Sequence, residues 1–330
     1  MTFRYLLLSL VFLLACSEEA PEPETDSISY NIDTSRISVS GVSSGAYMAG
    51  QLHLTHSSIF MGAAIVAGGP YYCAMGELSR GLGTCLTGDE PGSEPLLAYA
   101  QAAAAAGTID DLANLQDDRV WIFHGKLDSA VAEGPSRSAA VMYGKLMAED
   151  AVTLVTDIAV VHGWPTLDTG QACDAFGTPF LYDCDYDAAG EILKTLYGKL
   201  HDRRVAGGEL LTIAQPGYDA AEMLPDAYLY VPVSCAAGTA CGIHVAIHGC
   251  SQSSGYVGDV FAAGAGFNEW ADSNNLLVLY PQVASSKVAP MNPYGCWDWW
   301  GYTDENYATR QGPQVAAIKA TLDALAGTTL

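Results

Sequence analysis

Apolar positions along this chain fall into two alternating patterns. Short runs rich in β-branched residues, bounded by turn residues, predict strands over 36–42 (RISVSGV), 61–67 (MGAAIVA), 120–124 (VWIFH), 152–161, 210–213, 227–231, 243–247 and 276–280. Between most of them, apolar residues recur at helical spacing and predict helices over 44–56, 95–106, 136–149, 188–200, 261–274 and 315–325. Strands that are apolar on both faces need cover on both sides. The alternation therefore predicts an α/β fold with a mostly parallel, doubly wound sheet. The pair 210–213 and 227–231 is expected to add an antiparallel hairpin at one edge.

The pattern breaks at the N-terminus. Residues 1–15 (MTFRYLLLSLVFLLA) carry one Arg and then an apolar run too short to span a bilayer, which reads as a secretory signal. Leu13-Leu14-Ala15-Cys16 resembles a bacterial lipobox, in which Cys16 would be acylated and would hold the exported protein to a membrane. An ordinary signal peptide with a chance Cys is the alternative. Residues 16–30 are acidic, contain Pro and hold few apolar side chains, so they read as a flexible tether. No comparable linker follows, and 31–330 is expected to be one domain.

Composition adds two constraints. The 330 residues hold 37 Asp and Glu against 14 Lys and Arg, a formal charge of −23. Such a surface repels phosphate backbones, which argues against nucleic acid as a partner and suits uncharged substrates. Of nine Cys, those beyond Cys16 are Cys73, Cys85, Cys173, Cys184, Cys235, Cys241, Cys250 and Cys296. An even number in an exported chain indicates disulfides. Spacing leaves the pairing open. Closeness in sequence favours Cys73–Cys85, Cys173–Cys184 and Cys235–Cys241, with Cys250–Cys296 as the remainder. A zinc site is the rival use, although the chain has no C-x2-C pair.

Gly41-Val42-Ser43-Ser44-Gly45 fits G-x-S-x-G and falls between a predicted strand and a predicted helix, as that motif requires. The two Gly permit a sharp turn that exposes the central hydroxyl. The turn also leaves the N–H of Ser44 at a helix start, where a developing oxyanion can be held. Ser43 is thus the candidate nucleophile. It needs a base, and the base needs an orienting carboxylate. Of the seven His, His162 follows a predicted strand and enters the turn Gly163-Trp164-Pro165. In a doubly wound sheet such strand ends carry the chemistry. His53 and His56 are expected on the surface of the elbow helix, and His124 packed at a strand end. His201 ends a polar helix, and His244 and His248 share one buried strand face. Asp128 lies in a turn just past strand 120–124 and is the candidate acid. Asp157, inside a predicted strand, and Asp168, beyond a Pro turn, are weaker candidates. The order Ser43, Asp128, His162 is that of the α/β-hydrolases.

One part is out of order. An α/β-hydrolase takes its second oxyanion donor from a loop upstream of the nucleophile. Here the matching feature lies downstream, where strand 243–247 leads into His248-Gly249-Cys250-Ser251-Gln252 and a Gly lets the Cys250 N–H approach. The last helix also has no strand after it and would fit before 36–42. The chain therefore reads as a circularly permuted α/β-hydrolase.

GVSSGAYMA, HGKLDSAV, VHGWPT, IHVAIHGCSQS, NEWADSNNLLVLYPQ and NPYGCWDWWGY together resemble the polyhydroxybutyrate depolymerases of the circularly permuted, single-domain type. The likeness runs from about residue 30 to the C-terminus. It implies hydrolysis of a short-chain polyester through an acyl-enzyme, without metal or organic cofactor. It assigns Ser43 as nucleophile, Asp128 as acid, His162 as base, and the N–H groups of Ser44 and Cys250 as oxyanion donors. It also implies that rings of the Tyr294–Tyr302 stretch (YGCWDWWGY) touch the polymer. Trp297, Trp300 and Tyr302 are the expected contacts, while Asp298 either orients the loop or is solvated. No separate polymer-binding module is visible, so adsorption is expected to rest on the domain's own apolar surface. A feruloyl or acetyl esterase of plant polysaccharide, a polymer-binding lipoprotein without catalysis, and a metal-dependent hydrolase using His244 and His248 are the alternatives.

Overall fold

The computed structural model describes residues 29–88 and 91–330. The signal segment, the lipobox Cys16 and all but the end of the expected tether lie outside the described residues. In chain order the elements are β1 (Ile32–Val42), α1 (Ser44–Thr55), β2 (Gly62–Val66), α2 (Leu78–Leu82), α3 (Ser93–Ala105), a 3-10 helix (Leu112–Asp117), β3 (Arg119–Phe123), α4 (Glu133–Gly144) and β4 (Val152–Val155). There follow β5 (Trp164–Thr166), β6 (Gln171–Ala172), β7 (Leu181–Asp183), α5 (Ala188–Tyr197), β8 (Glu209–Ala214), β9 (Asp226–Val231) and α6 (Val233–Ala236). The chain closes with β10 (Cys241–Ile247), α7 (Ser254–Val257), α8 (Val260–Gly264), α9 (Phe267–Asn274), β11 (Leu276–Tyr280) and α10 (Pro313–Ala326).

Eight strands form one sheet in the order β4-β3-β2-β1-β10-β11-β9-β8. Pairing is parallel from β4 through β11, and β9 and β8 join as the antiparallel hairpin expected from the sequence. Alternate strand residues feed two cores. Val39, Ile65, Ile122 and Val245 pack with Met48, Leu52, Met142 and Ile318 of the helices on one face. Val66, Phe123, Ala246 and Val278 pack with Ile192, Phe267 and Trp270 on the other. This is the expected mostly parallel, doubly wound α/β sheet. The two ends of the described domain also meet, since the Tyr30 N–H donates to Leu325 O at 2.8 Å. Strand β10, which leads into the loop of His248 to Gln252, lies directly beside β1. A chain permuted to start at the elbow strand has this arrangement. Tyr30, assigned by the sequence to the tether, is therefore docked on the domain.

Three expectations change. The strand expected over 152–161 stops at Val155, and Asp157 lies beyond it in irregular chain. There Ile158 O and Val160 O accept N–H groups of Lys126 and Leu127 rather than extending the sheet. The helix expected over 261–274 is two helices, because Gly266 takes a left-handed conformation with φ 87°. His53 and His56 are buried, not exposed. Helix α1 is covered on every side, so its polar residues need internal partners. The two nitrogens of His53 meet Tyr143 Oη at 3.2 Å and Asp118 Oδ2 at 3.0 Å. His244 lies between the Ser38 and Ser40 hydroxyls at 2.8 Å each, so both its nitrogens are occupied.

Burial lowers His244 to about 3, and His56 and His248 to about 4. These folded values lie below the ordinary imidazole value near 6.5, so the unfolded chain binds more protons. The stability from keeping these rings neutral is full above about pH 6.5 and is lost as pH falls from there to the folded values. Each ring contributes a slope of about 1.4 kcal/mol per pH unit within that window. Urea unfolding should therefore show a steep fall between pH 7 and pH 5. Replacing His244 by Gln should flatten it; an unchanged slope in that variant refutes the assignment.

Candidate active site

Strand β1 ends at Val42 and the chain turns at once into α1. Ser43 occupies the turn with φ 57° and ψ −120°, a conformation that side chains rarely adopt. Its N–H donates to Val66 O at 2.9 Å, which ties the turn to β2. Both Gly of the motif are required by contact. A Cβ on Gly41 would lie 2.1 Å from Gly45 O. A Cβ on Gly45 would lie 2.3 Å from His248 O and 2.4 Å from Ile247 O. The start of α1 therefore rests directly on the backbone at the end of β10.

His162 and Asp128 reach Ser43 from loops beyond β4 and β3. His162 Nε2 is 2.9 Å from Ser43 Oγ, and His162 Nδ1 is 2.7 Å from Asp128 Oδ2. Asp128 is fully buried and His162 nearly so. The other carboxylate oxygen, Asp128 Oδ1, accepts the N–H groups of Ala130 and Val131, both at 2.9 Å, so the acid is fixed by its own turn. His162 is held from behind by a small sheet of order β5-β7-β6. Tyr182 Oη donates to His162 O at 3.2 Å, and the Val161 N–H donates to Cys173 O at 3.1 Å. The Cys173–Cys184 disulfide closes this sheet. Neighbouring His124 is buried and its pKa is lowered, first by burial. Its Nδ1 has no hydrogen-bond partner among the described residues.

The N–H groups of Ser44 and Cys250 have no protein acceptor among the described residues. They leave adjacent parallel strands, β1 and β10. The Ser44 hydroxyl accepts the Trp297 N–H at 3.2 Å and lies 3.4 Å from Cys250 Sγ. The disulfides are Cys73–Cys85, Cys173–Cys184, Cys235–Cys241 and Cys250–Cys296. The last ties the oxyanion loop to the aromatic stretch. The structure thus gathers Ser43, Asp128, His162, Ser44 and Cys250 in one place.

Of the expected polymer contacts, Trp297 has to be corrected. Its side chain is fully buried and packs against the His248 ring at 5.3 Å, so it belongs to the core. Tyr302 is half-buried, and its hydroxyl donates to Cys296 O at 2.9 Å and accepts from Gln314 Nε2 and Asn292 Nδ2. Trp300 is half-buried and edge-on to Trp299, which itself stacks on Tyr47 at 4.5 Å. Asp298 organises the stretch: its carboxylate accepts N–H groups from Trp300, Gly301, Tyr302 and Thr303. Sequence reasoning missed Gln252, which bridges two loops of the site. Its only signal was its place in the HGCSQ run.

No protein-family model matches the chain. A poly(3-hydroxybutyrate) depolymerase of Delftia acidovorans is 39% identical over 88% of this chain, which spans 60% of that protein's length. A polyhydroxybutyrate depolymerase of Talaromyces funiculosus is 36% identical over 88% of this chain and 89% of its own. The crystal structure of a PHB depolymerase from Penicillium funiculosum superposes with a TM-score of 0.86 at 34% identity, covering 91% of this chain and 98% of the other. A serine-to-alanine variant of a PHB depolymerase, complexed with an R3HB trimer, matches with the same values.

The contact at Gly45 makes a direct prediction. Gly45→Ala should cost about 1–3 kcal/mol or more in urea unfolding, because backbone rather than a flexible side chain blocks the methyl, and ester turnover should fall with it. Gly50→Ala on the same helix meets its nearest neighbour at an ordinary 3.7 Å and should be neutral or stabilising. Equal behaviour of the two variants refutes the contact.

Proposed function

The chain belongs to the polyhydroxybutyrate depolymerase family, and on that premise we propose that it is a serine esterase acting on poly-3-hydroxybutyrate and its oligomers. One observation carries this reading: the continuous run from Ser43 Oγ through the His162 ring to the buried Asp128 carboxylate, at 2.9 and 2.7 Å. His162 takes the Ser43 proton through Nε2 as Oγ attacks a 3-hydroxyacyl carbonyl. Asp128 keeps the other proton on Nδ1 and stabilises the imidazolium. The N–H groups of Ser44 and Cys250 hold the oxyanion. His162 protonates the leaving hydroxyl, the acyl group stays on Ser43, and water activated by the same ring releases it. No charged group of the substrate is needed, in keeping with the acidic composition. Exposed Leu127, Phe176 and Tyr294 lie in the loops that carry Asp128, back His162 and flank Cys250, and offer apolar contact to a solid polyester.

Ser43→Ala should lower turnover of a short-chain nitrophenyl ester by about 10⁴-fold or more without moving the unfolding midpoint. With amorphous poly-3-hydroxybutyrate, mass spectrometry should find 3-hydroxybutyrate and short oligomers for the parent protein and none for the variant. Release of ferulate at a higher rate than hydroxybutyrate would overturn the substrate assignment.

Four disulfides mark the protein as one that matures in an oxidising compartment. We further propose that it is held to a membrane by acylation of Cys16, which lies outside the described residues. Cys16→Ser should move the protein from the membrane to the soluble fraction and abolish incorporation of labelled palmitate; unchanged fractionation refutes the anchor.

A further inference from the structure

The oxyanion loop contains one residue, Gly249, whose backbone N–H and carbonyl are both held by buried side chains. Gly249 O accepts a hydrogen bond from His248 Nδ1 at 2.7 Å. The Gly249 N–H donates to Gln252 Oε1 at 2.7 Å. His248 and Gln252 are both buried. The Gln252 amide does not end there, since Nε2 donates to Pro179 O at 2.9 Å and to Phe180 O at 3.3 Å. Pro179 and Phe180 lead into β7, the central strand of the small sheet behind His162. Gln252 therefore links the oxyanion loop to the support of the base.

The geometry matters because of which peptide is held. Gly249 O and the Cys250 N–H belong to the same planar amide and point in opposite directions in its trans form. A donor fixed on the carbonyl oxygen therefore fixes where the N–H points. It also polarises the amide and strengthens that N–H as a donor. His248 is suited to this as a neutral ring protonated on Nδ1. Its Nε2 faces the Val283 N–H at 3.5 Å as an acceptor, and burial keeps the ring neutral. Gly249 is closely packed: a Cβ would lie 2.9 Å from Gln252 Oε1, 3.2 Å from Val42 O and 3.3 Å from the Ser43 Cβ, so a side chain there would displace Gln252.

We propose that His248 and Gln252 are positioning residues that hold Gly249 from both sides, His248 on the carbonyl of the Gly249–Cys250 peptide and Gln252 on the N–H of the peptide before it, so that the Cys250 N–H is turned toward the forming oxyanion. This rests on the acyl-transfer reading above and on Cys250 as oxyanion donor. Neither side chain touches the substrate. Their effect belongs to the transition state, where charge develops, and not to the ground state, where the ester carbonyl is neutral.

The test compares His248→Leu, His248→Asn and Gln252→Met in the full chain. It measures kcat and KM on a short-chain nitrophenyl ester, and the inhibition constant of a trifluoromethyl ketone of matching acyl length, which binds as a tetrahedral oxyanion on the serine. His248→Leu should lower kcat by about 10- to 100-fold, short of the loss seen when an oxyanion donor is removed outright. KM should stay within about 3-fold, and the ketone should weaken by about the same factor as kcat. His248→Asn, whose amide can donate from the Nδ1 position, should recover most of the loss. Gln252→Met should act in the same direction as His248→Leu. The acid limb of the pH profile should not move, because neither residue exchanges a proton with the substrate. A folded His248→Leu with unchanged ketone affinity overturns the proposal. So does an Asn variant no better than Leu, or an acid limb that shifts with residue 248. If His248→Leu yields no folded protein, Gln252→Met decides, and unchanged ketone affinity there overturns it. Ser43→Ala separates the two readings. Turnover that survives in it fells the serine mechanism, whereas an inactive Ser43→Ala beside unaffected 248 and 252 variants fells only the positioning role.

Discussion

The site depends on one bare contact between two stretches of backbone. Strands β1 and β10 are parallel neighbours, with Gly41 opposite Ile247. The chain leaves both strands at the same edge of the sheet. Because Gly45 has no side chain, the first turn of α1 settles onto the carbonyls of residues 247 and 248. The two candidate oxyanion donors then come from loops that are distant in sequence and touching in space. Ser43 stands at the same corner, and the loops after β3 and β4 bring Asp128 and His162 to the same edge. In an open α/β sheet this is the edge where functional loops converge.

Much of this was legible in the sequence because each part has a local signature. The elbow is five residues with a strand before and a helix after. The displaced oxyanion loop was visible as a His-Gly-Cys run behind a β-branched strand. The order of Ser43, Asp128 and His162 along the chain followed from turns placed after strands. Other features have no local signature. Whether His53 lies inside or outside depends on what covers α1, and that cover comes from distant segments. The burial of Trp297 depends on His248 lying beneath it. The strand expected to run to residue 161 had the right composition, but beyond Val155 its partners are loop carbonyls and amides, and composition does not register who the partner is.

The small sheet shows a further limit. Its strands are two or three residues long, too short for any periodicity to emerge. It is held instead by a disulfide, by Tyr182 and by the Trp164 indole, which donates to Ala265 O at 2.9 Å. His162 is thus supported by an irregular, stapled appendage, while Ser43 stands at the end of a strand of the main sheet. Gln252 joins the two.

Strand β1 enters the domain at Ile32 and delivers Ser43 just past its far end. Eleven residues of extended chain cover roughly 35 Å. Residue 29, the first described residue, and Ser43 therefore lie beyond opposite ends of the same strand. Anything attached ahead of residue 29 is therefore set off from Ser43 by the full length of that strand.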